Sequence, residues 1–542
     1  MQFNLADLFE AVVATVPDDE ALVCGGAGGI SVRRTFAELD ERVDRLAHAL
    51  AARGVGVGDR VGLHLHNGPE FIEAMLAGYK LRAVPVNVNF RYVADELRYL
   101  LDDSGMAAIV TEPDLVGVVV EAAASGSSLH TSGPDASSLA EPIVVGPGYE
   151  ALLAEQPAGR VDVGPRSADD HYILYTGGTT GRPKGVVWRH EDIYFASLGG
   201  RGTPSQGVPM LTAPDQIVDR VLRRDPIMRR LPLCPLIHGG AMWIALQSLL
   251  MGGALVLDVD RHFDPVAALT LLADERVELT MLIGDATARP LADALAAARA
   301  IDPGAYDLSA LQVIASGGAV LSASVKAQLR ELLPGTKVVD TFGASETGGQ
   351  GRLTRVDDGS LRLVTDEQTA VLDDDLVPVV PGQTGRLARS GFVPLGYHGD
   401  PEKSAATFPV LDGVRWSVPG DLARLEPDGT ITLLGRGATS INTGGEKVFP
   451  EEVENVVKGH PAVFDAMVVG VPDERFGERV TAVVSARPGM ARPSDDELAA
   501  LARAHLAGYK VPRAWVWADE CRRLPTGKPD YAWARAQVAS AG

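Results

Sequence analysis

Short apolar runs alternate with amphipathic helical segments along the chain, and this alternation restricts the fold more than any other property of the sequence. Phe36, Leu39, Val43, Leu46 and Leu50 recur at helical spacing after Thr35, a predicted N-cap. Another helix is predicted at 70–79. Strands are predicted at 61–65, 84–88, 108–111, 254–257, 278–283 and 313–315. Since strands that alternate with helices form βαβ units, the sequence predicts an α/β fold with mainly parallel sheets.

The length of 542 residues corresponds to three or four domain-sized units. The pattern changes near Gly435-Arg436-Gly437, after which short strands and helices follow each other closely. We therefore predict a large N-terminal domain of several subdomains at 1–434, a hinge at 435–438 and a small α+β domain at 439–542. Phe449 and Pro450, followed by acidic residues, predict a helix start within the small domain.

Charge and cysteine content exclude several classes of protein. The 50 basic and 71 acidic residues give a net charge of −21, which argues against binding to nucleic acid. Cys24, Cys234 and Cys521 are far apart and form no CxxC pair, so neither a disulfide framework nor a cysteine zinc site is expected. The N-terminus lacks the pattern of a signal peptide. A cytoplasmic location is expected.

The stretch from 231 to 257 contains no Asp, Glu, Lys or Arg and is long enough to cross a bilayer. Proline, glycine, His238 and Gln247 interrupt it, however, and a spanning helix requires continuous apolar character. We interpret it as a loop, a buried helix at about 240–251 and a buried strand, and expect no membrane span. The segments 125–138 and 205–230 are predicted to be a surface loop and a mobile excursion.

A segment rich in glycine and threonine, Tyr175-Thr-Gly-Gly-Thr-Thr-Gly-Arg-Pro-Lys184-Gly185, follows the apolar run 172–174. Glycines let the backbone approach a ligand closely, and its N–H groups can hold phosphate oxygens. The threonine hydroxyls add donors and Lys184 adds positive charge. Pro183 precedes Lys184 and Gly185 follows it, so the segment is not a Walker P-loop. Alone, it is also compatible with a turn that binds no ligand.

The segment resembles the phosphate loop of the ANL superfamily, which includes acyl- and aryl-CoA synthetases, adenylation domains and firefly-type luciferases. The family pattern is Thr-Ser-Gly-Thr-Thr-Gly-x-Pro-Lys-Gly, and Gly177 stands where serine is usual. Other segments resemble the remaining family motifs in the same order: 316–319, 340–347, 416–421, 435–436, 470–478, 509–513 and 525–528. The resemblance implies a large N-terminal domain and a small, mobile C-terminal domain.

The resemblance also implies a site for ATP and Mg²⁺. The residues expected to bind the nucleotide are Thr176, Gly177, Gly178, Thr179, Thr180, Gly317, Gly318, Ala319, Asp340, Thr341, Phe342, Gly343, Ser345, Asp421 and Arg436. Among them, Phe342 would flank the adenine and Asp421 would bind the ribose hydroxyls. Glu346 would hold the metal. Ser345 replaces the usual threonine of its motif.

The catalytic residues that the resemblance implies are Lys528, Glu346 and Lys184. Lys528 would contact both the substrate carboxylate and the α-phosphate. In the family the small domain then rotates about the hinge to admit coenzyme A, and Gly445 and Lys447 lie on the segment expected to meet it. The usual Asp or Lys two positions after the hinge arginine is Ala438 here.

The acid-binding pocket is expected near His238, Gly239 and Gly343, together with 284–285. Family members that activate amino acids tend to carry Asp at the position of His238. Its absence disfavours an α-amino acid as substrate. His238 is as well explained by a structural role.

These observations predict an AMP-forming ligase that joins a small-molecule acid to coenzyme A, with the fatty-acyl and sterol-side-chain ligases as the most similar group. The first alternative is an adenylating enzyme with another acid or acceptor, either loading a carrier protein or activating nitrite for diazotisation of an arylamine. The second is a nucleotide-binding scaffold without catalysis. A homodimer is one expected assembly.

Overall fold

The computed structural model describes residues 1–541 apart from 125–138, 177–181, 203–206, 224–227, 320, 356–360, 365, 437–440, 444–445, 474–476, 507 and 525–527. The predicted surface loop at 125–138 lies outside the described residues. Within the described ranges, the strands form four sheets. Helices cover both the parallel sheet and the parallel half of the largest sheet, which gives the predicted α/β class.

The first sheet is fully parallel and has four strands in the described residues. Its spatial order is Val84–Asn87, Arg60–His64, Met106–Thr111, Ile143–Val144. The neighbouring helices are Phe36–Ala51, Pro69–Lys80, Ala94–Ser104, Val116–Ala124 and Pro147–Ala154. Thr35 caps the first of these helices in a capping box with Glu38, as predicted. The predicted helix at 70–79 is also confirmed.

The largest sheet contains fifteen strands within the described chain. Its parallel half consists of Glu20–Gly26, Ala254–Asp258, Arg229–Pro232, Leu279–Leu282, Val313–Ser316 and Lys337–Ala344, with the antiparallel edge strand Gly29–Thr35. The helices that belong to this part of the chain are Leu5–Thr15, His190–Ser197, Gln216–Leu222, Gly239–Leu250, Pro265–Asp274, Gly284–Ile301 and Ala323–Leu332.

The other half of this sheet is antiparallel and extends over residues 348–436, for which the sequence predicted no strands. Its strands are Gly348–Arg355, Leu361–Val364, Thr369–Leu372, Thr384–Ser390, Val410–Leu411, Val414–Ser417, Asp421–Leu425 and Ile431–Arg436. Short connections favour antiparallel pairing, because a parallel crossover needs a dozen or more residues. The helix Pro401–Thr407 lies in one of the longer connections.

A three-stranded antiparallel sheet carries the phosphate-loop segment. Its order is Gly396–Tyr397, Lys184–Arg189, His171–Thr176. In the uncharged stretch, the buried helix Gly239–Leu250 and the buried strand Ala254–Asp258 form as predicted, but its first two residues end the strand Arg229–Pro232 and are not a loop. Among the described residues, no helix combines the length and the apolar character that crossing a membrane requires.

The excursion predicted at 205–230 is in part regular and buried, which corrects that prediction. Gln216–Leu222 is a helix, and Ile217 and Val221 are fully buried against the main core. Their spacing of four residues places both on one helical face. The charged residues between them hid this short pattern in the sequence.

The C-terminal sheet begins at residue 441. It contains Ile441–Thr443, Glu446–Val448, Val463–Asp473, Gly477–Ala486 and Ala514–Ala518, and its helices are Pro450–Val457, Asp495–His505 and Tyr531–Ala541 with the 3₁₀ turn Gly508–Lys510. Pro450 occupies the first helical turn, as predicted. The ring of Phe464 lies 5.4 Å from the guanidinium of Arg289, so this sheet contacts the helix Gly284–Ile301.

Glu454 is a buried acid in the helix Pro450–Val457, where its carboxylate accepts a hydrogen bond from the Val468 N–H at 2.9 Å. Burial raises the pKa of Glu454 to about 7. Because the folded chain holds this proton more tightly than the unfolded chain, ionisation of Glu454 lowers stability as pH rises from about 4.5 to about 7.

Glu454→Gln cannot ionise and keeps an acceptor for Val468. At each pH the unfolding temperature of the original chain is subtracted from that of the variant. We expect this difference to be larger, in favour of the variant, at pH 8 than at pH 5. Thermal unfolding at both pH values measures the difference. Glu520→Gln, at an exposed position, is the control and should show the same difference at both. A pH-independent effect of Glu454→Gln would contradict the assignment.

Candidate active site

The two ends of the phosphate loop lie side by side. The strands His171–Thr176 and Lys184–Arg189 pair in antiparallel fashion, and Thr176 is directly opposite Lys184. Gly177, Gly178, Thr179 and Thr180 lie outside the described residues. The chain is thus arranged to close a loop at this point, with a threonine at one end and a lysine at the other.

Asn87 fixes the strand that enters this loop. Its side-chain amide donates to the carbonyls of Tyr175 and Ile237, both at 2.8 Å, and its carbonyl accepts from the Tyr175 N–H at 2.7 Å. The residue is buried, so these backbone groups have little access to water. Asn87 therefore joins the phosphate-loop strand to the segment that precedes His238. No sequence signal identified it.

We expect Asn87→Ala to lower the free energy of unfolding by about 3 kcal/mol, because three buried backbone groups lose their hydrogen-bond partner. Chemical denaturation measures this loss, and nucleotide binding should weaken with it. Asn89→Ala is the matched control, since its side chain accepts one bond at an exposed turn. Equal stability losses in the two variants would refute the role of Asn87.

A second set of contacts supports both ends of the loop from the helix Ala94–Ser104. The Tyr175 hydroxyl donates to Asp103 at 2.6 Å. The Tyr99 hydroxyl lies 3.2 Å both from Asp103 and from the carbonyl of Pro183. Burial, with the adjacent Asp103, raises the pKa of Tyr175 well above its usual range, so this hydroxyl keeps its proton.

Lys184 forms an ion pair with Asp400, whose carboxylate lies 2.5 Å from the Lys184 ammonium. Both side chains are about one-third exposed. The hydrogen bond from Lys184 holds the pKa of Asp400 below its usual range. Lys184 also lies 5.7 Å from the centroid of the Tyr397 ring. The ammonium of Lys184 is therefore held at the end of the strand that leaves the predicted phosphate loop, and it stays partly exposed to solvent.

Glu346 is at the tip of the hairpin that joins Lys337–Ala344 to Gly348–Arg355. Two bonds to main-chain oxygens fix this tip: Ser417 donates to the carbonyl of Glu346 at 2.6 Å, and Trp188 donates to that of Ser345 at 3.1 Å. The Tyr397 hydroxyl donates to the Glu346 carboxylate at 3.0 Å. Tyr397 thus connects the residue predicted to hold the metal with Lys184.

These residues fit Mg²⁺ bound together with a polyphosphate. Mg²⁺ is usually held by one or two carboxylates plus substrate phosphates, rather than by a cage of protein ligands. Across the described ranges no group of three or more His, Cys, Asp or Glu residues could hold a metal ion, whereas Glu346 offers one carboxylate that Tyr397 connects to Lys184.

The segment predicted to contact adenine is packed closely against the strand Lys337–Ala344. The Thr341 hydroxyl donates to the Ser316 carbonyl at 2.9 Å, and a β-carbon on Gly317 would lie 2.7 Å from that hydroxyl. A β-carbon on Gly343 would clash with the carbonyl of Gly348. Both positions therefore require glycine.

The remaining residues of this segment differ in exposure. Gly318 is exposed with a φ of 75°, and Ala319 and Phe342 are half-buried. Asp340 is buried and pairs with Lys326 at 2.7 Å, which gives it a structural partner within the protein.

Asp421 and Arg436 are cross-strand neighbours, because Asp421–Leu425 pairs in antiparallel fashion with Ile431–Arg436. The residue predicted to bind the ribose therefore lies beside the residue predicted to open the hinge. Ala438 and Gly445 lie outside the described residues. Lys447 is paired with Asn442 in the small sheet, and the structure describes its backbone alone.

His238 is the N-cap of the helix Gly239–Leu250. A β-carbon on Gly239 would lie 2.7 Å from Leu174, so this glycine lets the helix approach the phosphate-loop strand. Trp243 donates from its indole to the Tyr172 hydroxyl at 3.0 Å. The predicted acid-binding segment is therefore packed directly on the strand that leads to the phosphate loop.

Lys528 is half-buried at the end of a short hairpin in which Arg523 forms a bridge with Pro529. Its carbonyl accepts from the N–H of Leu524 at 2.8 Å. The Arg523 guanidinium binds Asp465 through several contacts of 2.7–2.9 Å. The hairpin that carries Lys528 is thus anchored to the C-terminal sheet through Arg523.

Comparisons with known proteins connect this site to a family. The sequence profile of AMP-binding enzymes matches residues 9–398, and that of the AMP-binding enzyme C-terminal domain matches 452–528. A 3-oxocholest-4-en-26-oate–CoA ligase of Rhodococcus rhodochrous is 45% identical, over 99% of this chain and 96% of its own. A medium/long-chain-fatty-acid–CoA/3-oxocholest-4-en-26-oate–CoA ligase of Mycobacterium tuberculosis is 44% identical over the same shares of the two chains.

Solved structures share the fold over nearly the whole chain. The anthranilate CoA ligase AuaEII in complex with anthranoyl-AMP matches with a TM-score of 0.82 at 22% identity, covering 99% of this chain and 98% of that one. ATP-bound MatB from Rhodopseudomonas palustris matches with a TM-score of 0.79 at 25% identity, with both chains fully covered.

Proposed function

The chain belongs to the AMP-binding enzyme family, and from that premise we propose that it is an AMP-forming acid–thiol ligase that produces acyl-coenzyme A. The observation that carries this conclusion is the similarity to CoA ligases, which continues through 99% of the chain at 45% identity. It therefore includes the phosphate-loop region, the Glu346 hairpin and the small C-terminal domain.

The reaction has two steps. An oxygen of the substrate carboxylate attacks the α-phosphorus of ATP, and pyrophosphate leaves with the electrons of the broken P–O bond. The thiol of coenzyme A, having lost its proton, then attacks the acyl carbon, and AMP leaves. Charge spreads over phosphoryl oxygens in the first step, so positioning and positive charge do most of the catalysis.

We propose that each end of the phosphate loop has its own task. Thr176 donates its hydroxyl to the phosphates, while Lys184 places its ammonium beside them. Lys184 is held for this by Asp400 and the Tyr397 ring. Glu346 would hold Mg²⁺, which supplies positive charge to the pyrophosphate when bound. Asp421 binds the ribose, and Gly317 and Gly343 let the segments proposed to contact the adenine pack closely against their neighbours.

Lys528 supplies the charge at the reacting atoms in the first step.

The domains that we propose are the N-terminal domain 1–434, the hinge 435–438 and the C-terminal lid 439–542. The lid turns between the steps, so that Gly445 and Lys447 meet coenzyme A after pyrophosphate has left. Because rotation changes backbone torsion angles, Ala438 can serve at the hinge.

For the acid, we propose a medium- or long-chain fatty acid or the side-chain carboxylate of a sterol, with His238 and Gly239 at its pocket. The support is the substrates named for the relatives, at 44–45% identity. The same relatives do not favour a carrier protein or an arylamine as acceptor.

We also propose a cytoplasmic location. It is supported by three free cysteines, all of them buried.

A panel of acids tests the function. Pyrophosphate release is measured with acids of short, medium and long chain, a sterol side-chain acid, an aromatic acid and nitrite, each with and without coenzyme A. We expect sustained release over many turnovers only when coenzyme A is present, with the medium-chain, long-chain or sterol acids, together with a thioester product. Turnover without coenzyme A to a product that is not a thioester would contradict the proposal.

A further inference from the structure

The segment 396–407 forms a compact unit beside the phosphate loop. The Tyr397 N–H donates to the Ser404 hydroxyl at 2.8 Å, and that hydroxyl lies 2.6 Å from the carbonyl of Asp400. Asp400 caps the helix Pro401–Thr407 by accepting from the Lys403 N–H at 3.0 Å. These bonds fix Tyr397 and Asp400 relative to each other.

The unit directs two side chains at predicted site residues. The Tyr397 hydroxyl donates to the Glu346 carboxylate at 3.0 Å, and Asp400 binds Lys184 at 2.5 Å. The Tyr397 ring packs at 5.3 Å against Phe408 and lies 5.7 Å from the Lys184 ammonium. One ring thus contacts both the phosphate-loop lysine and the residue predicted to hold the metal.

We propose that Tyr397 is a positioning residue that orients the Glu346 carboxylate for nucleotide-bound magnesium. It also keeps this carboxylate in a fixed position relative to the Lys184 ammonium. This inference rests on the proposed function. Glu346 is at a hairpin tip, where its side chain would otherwise sample several rotamers. A hydrogen bond to one carboxylate oxygen selects a single orientation. Tyr397 donates a neutral hydroxyl, so it does so without neutralising the charge that attracts the metal.

Tyr397→Phe tests this directly, because it keeps the ring near Lys184 and removes the hydroxyl that binds Glu346. ATP binding is measured by calorimetry with and without Mg²⁺, in the absence of acid and coenzyme A. We expect the dissociation constant for ATP with Mg²⁺ to rise roughly fivefold, the effect of losing one such hydrogen bond, and that without Mg²⁺ to change little. In a Glu346→Gln background, Tyr397→Phe should add little.

Tyr149→Phe is the matched control. The Tyr149 hydroxyl also binds a glutamate, Glu73 at 2.6 Å, within the N-terminal core. This control should leave ATP binding unchanged in both conditions, whatever it does to the unfolding temperature.

Two results would overturn the inference: unchanged binding by Tyr397→Phe with Mg²⁺, or equal weakening with and without Mg²⁺, which indicates a structural role. Failure of the original chain to bind ATP or to form an acyl-CoA would instead refute the proposed function. The two failures are therefore distinguishable.

Discussion

Replacing Lys528 by alanine is expected to slow adenylate formation by on the order of 10² or more, because a preorganised positive charge is lost where charge develops in the transition state. Lys528 is held on a hairpin that Arg523 anchors to Asp465, so the ammonium starts from a defined backbone position. Acid-dependent exchange of labelled pyrophosphate into ATP measures this step alone.

The rate of the second half-reaction shows whether Lys528→Ala impairs adenylate formation specifically or disturbs the folding of the protein. With a preformed acyl-adenylate, Lys528→Ala should form thioester at a rate much closer to that of the original chain. Lys337→Ala, which removes a lysine at an exposed position, serves as the control for both assays. Unchanged exchange by Lys528→Ala would refute the role assigned to this lysine, and equal loss in both steps would show that the change disturbs the domain as a whole.

Glu346→Gln is expected to lower the rate of adenylate formation by on the order of 10², because the amide carries no charge to bind Mg²⁺. Glutamine keeps an oxygen that can accept from Tyr397, and the Ser417 bond to the main chain at this position is unaffected. The substitution therefore removes the charge while it preserves the hairpin. Pyrophosphate exchange is measured across a range of Mg²⁺ concentrations.

Half-saturation by Mg²⁺ should shift to higher concentration in this variant, and excess Mg²⁺ should restore part of the rate. Glu331→Gln, at an exposed position, is the control for the loss of one acidic charge. An unchanged dependence on Mg²⁺ in Glu346→Gln would show that the metal is held elsewhere.

Elements with a strong local pattern could be predicted from the sequence. The helix after Thr35 has a capping box and a regular apolar face, and it forms as expected at Phe36–Ala51. Six of the parallel strands were recognisable as short apolar runs between helices, whereas Glu20–Gly26, Arg229–Pro232 and Lys337–Ala344 were not predicted. The antiparallel strands after Gly348 were not predicted, because their pairing depends on neighbours in space and their sequence contains few continuous apolar runs.

The same distinction applies to the candidate site. Thr176, Lys184 and Glu346 belong to contiguous motifs, so the resemblance could predict them as site residues. Asn87, Tyr397 and Asp400 were missed, because each acts through a partner far away in the chain. Asn87 is 88 residues from Tyr175, and Asp400 is 216 residues from Lys184. A single sequence contains no signal for such pairs.

The net charge of −21 affects how anionic ligands can bind to this protein. ATP and coenzyme A are anions, so the overall charge of the protein opposes their approach. The proposed site therefore relies on local cations such as Lys184 and Lys528. Asp400 offsets part of the charge of Lys184.

The fate of the carboxylate oxygens tests the central claim most directly. The acid that is most active in the panel is labelled with ¹⁸O in both carboxylate oxygens and converted with ATP and coenzyme A, and the products are analysed by mass spectrometry. An acyl-adenylate route predicts AMP with one ¹⁸O atom, because the bridging oxygen stays with phosphorus when the thiol displaces AMP. Unlabelled AMP, or labelled phosphate released together with ADP, would contradict it.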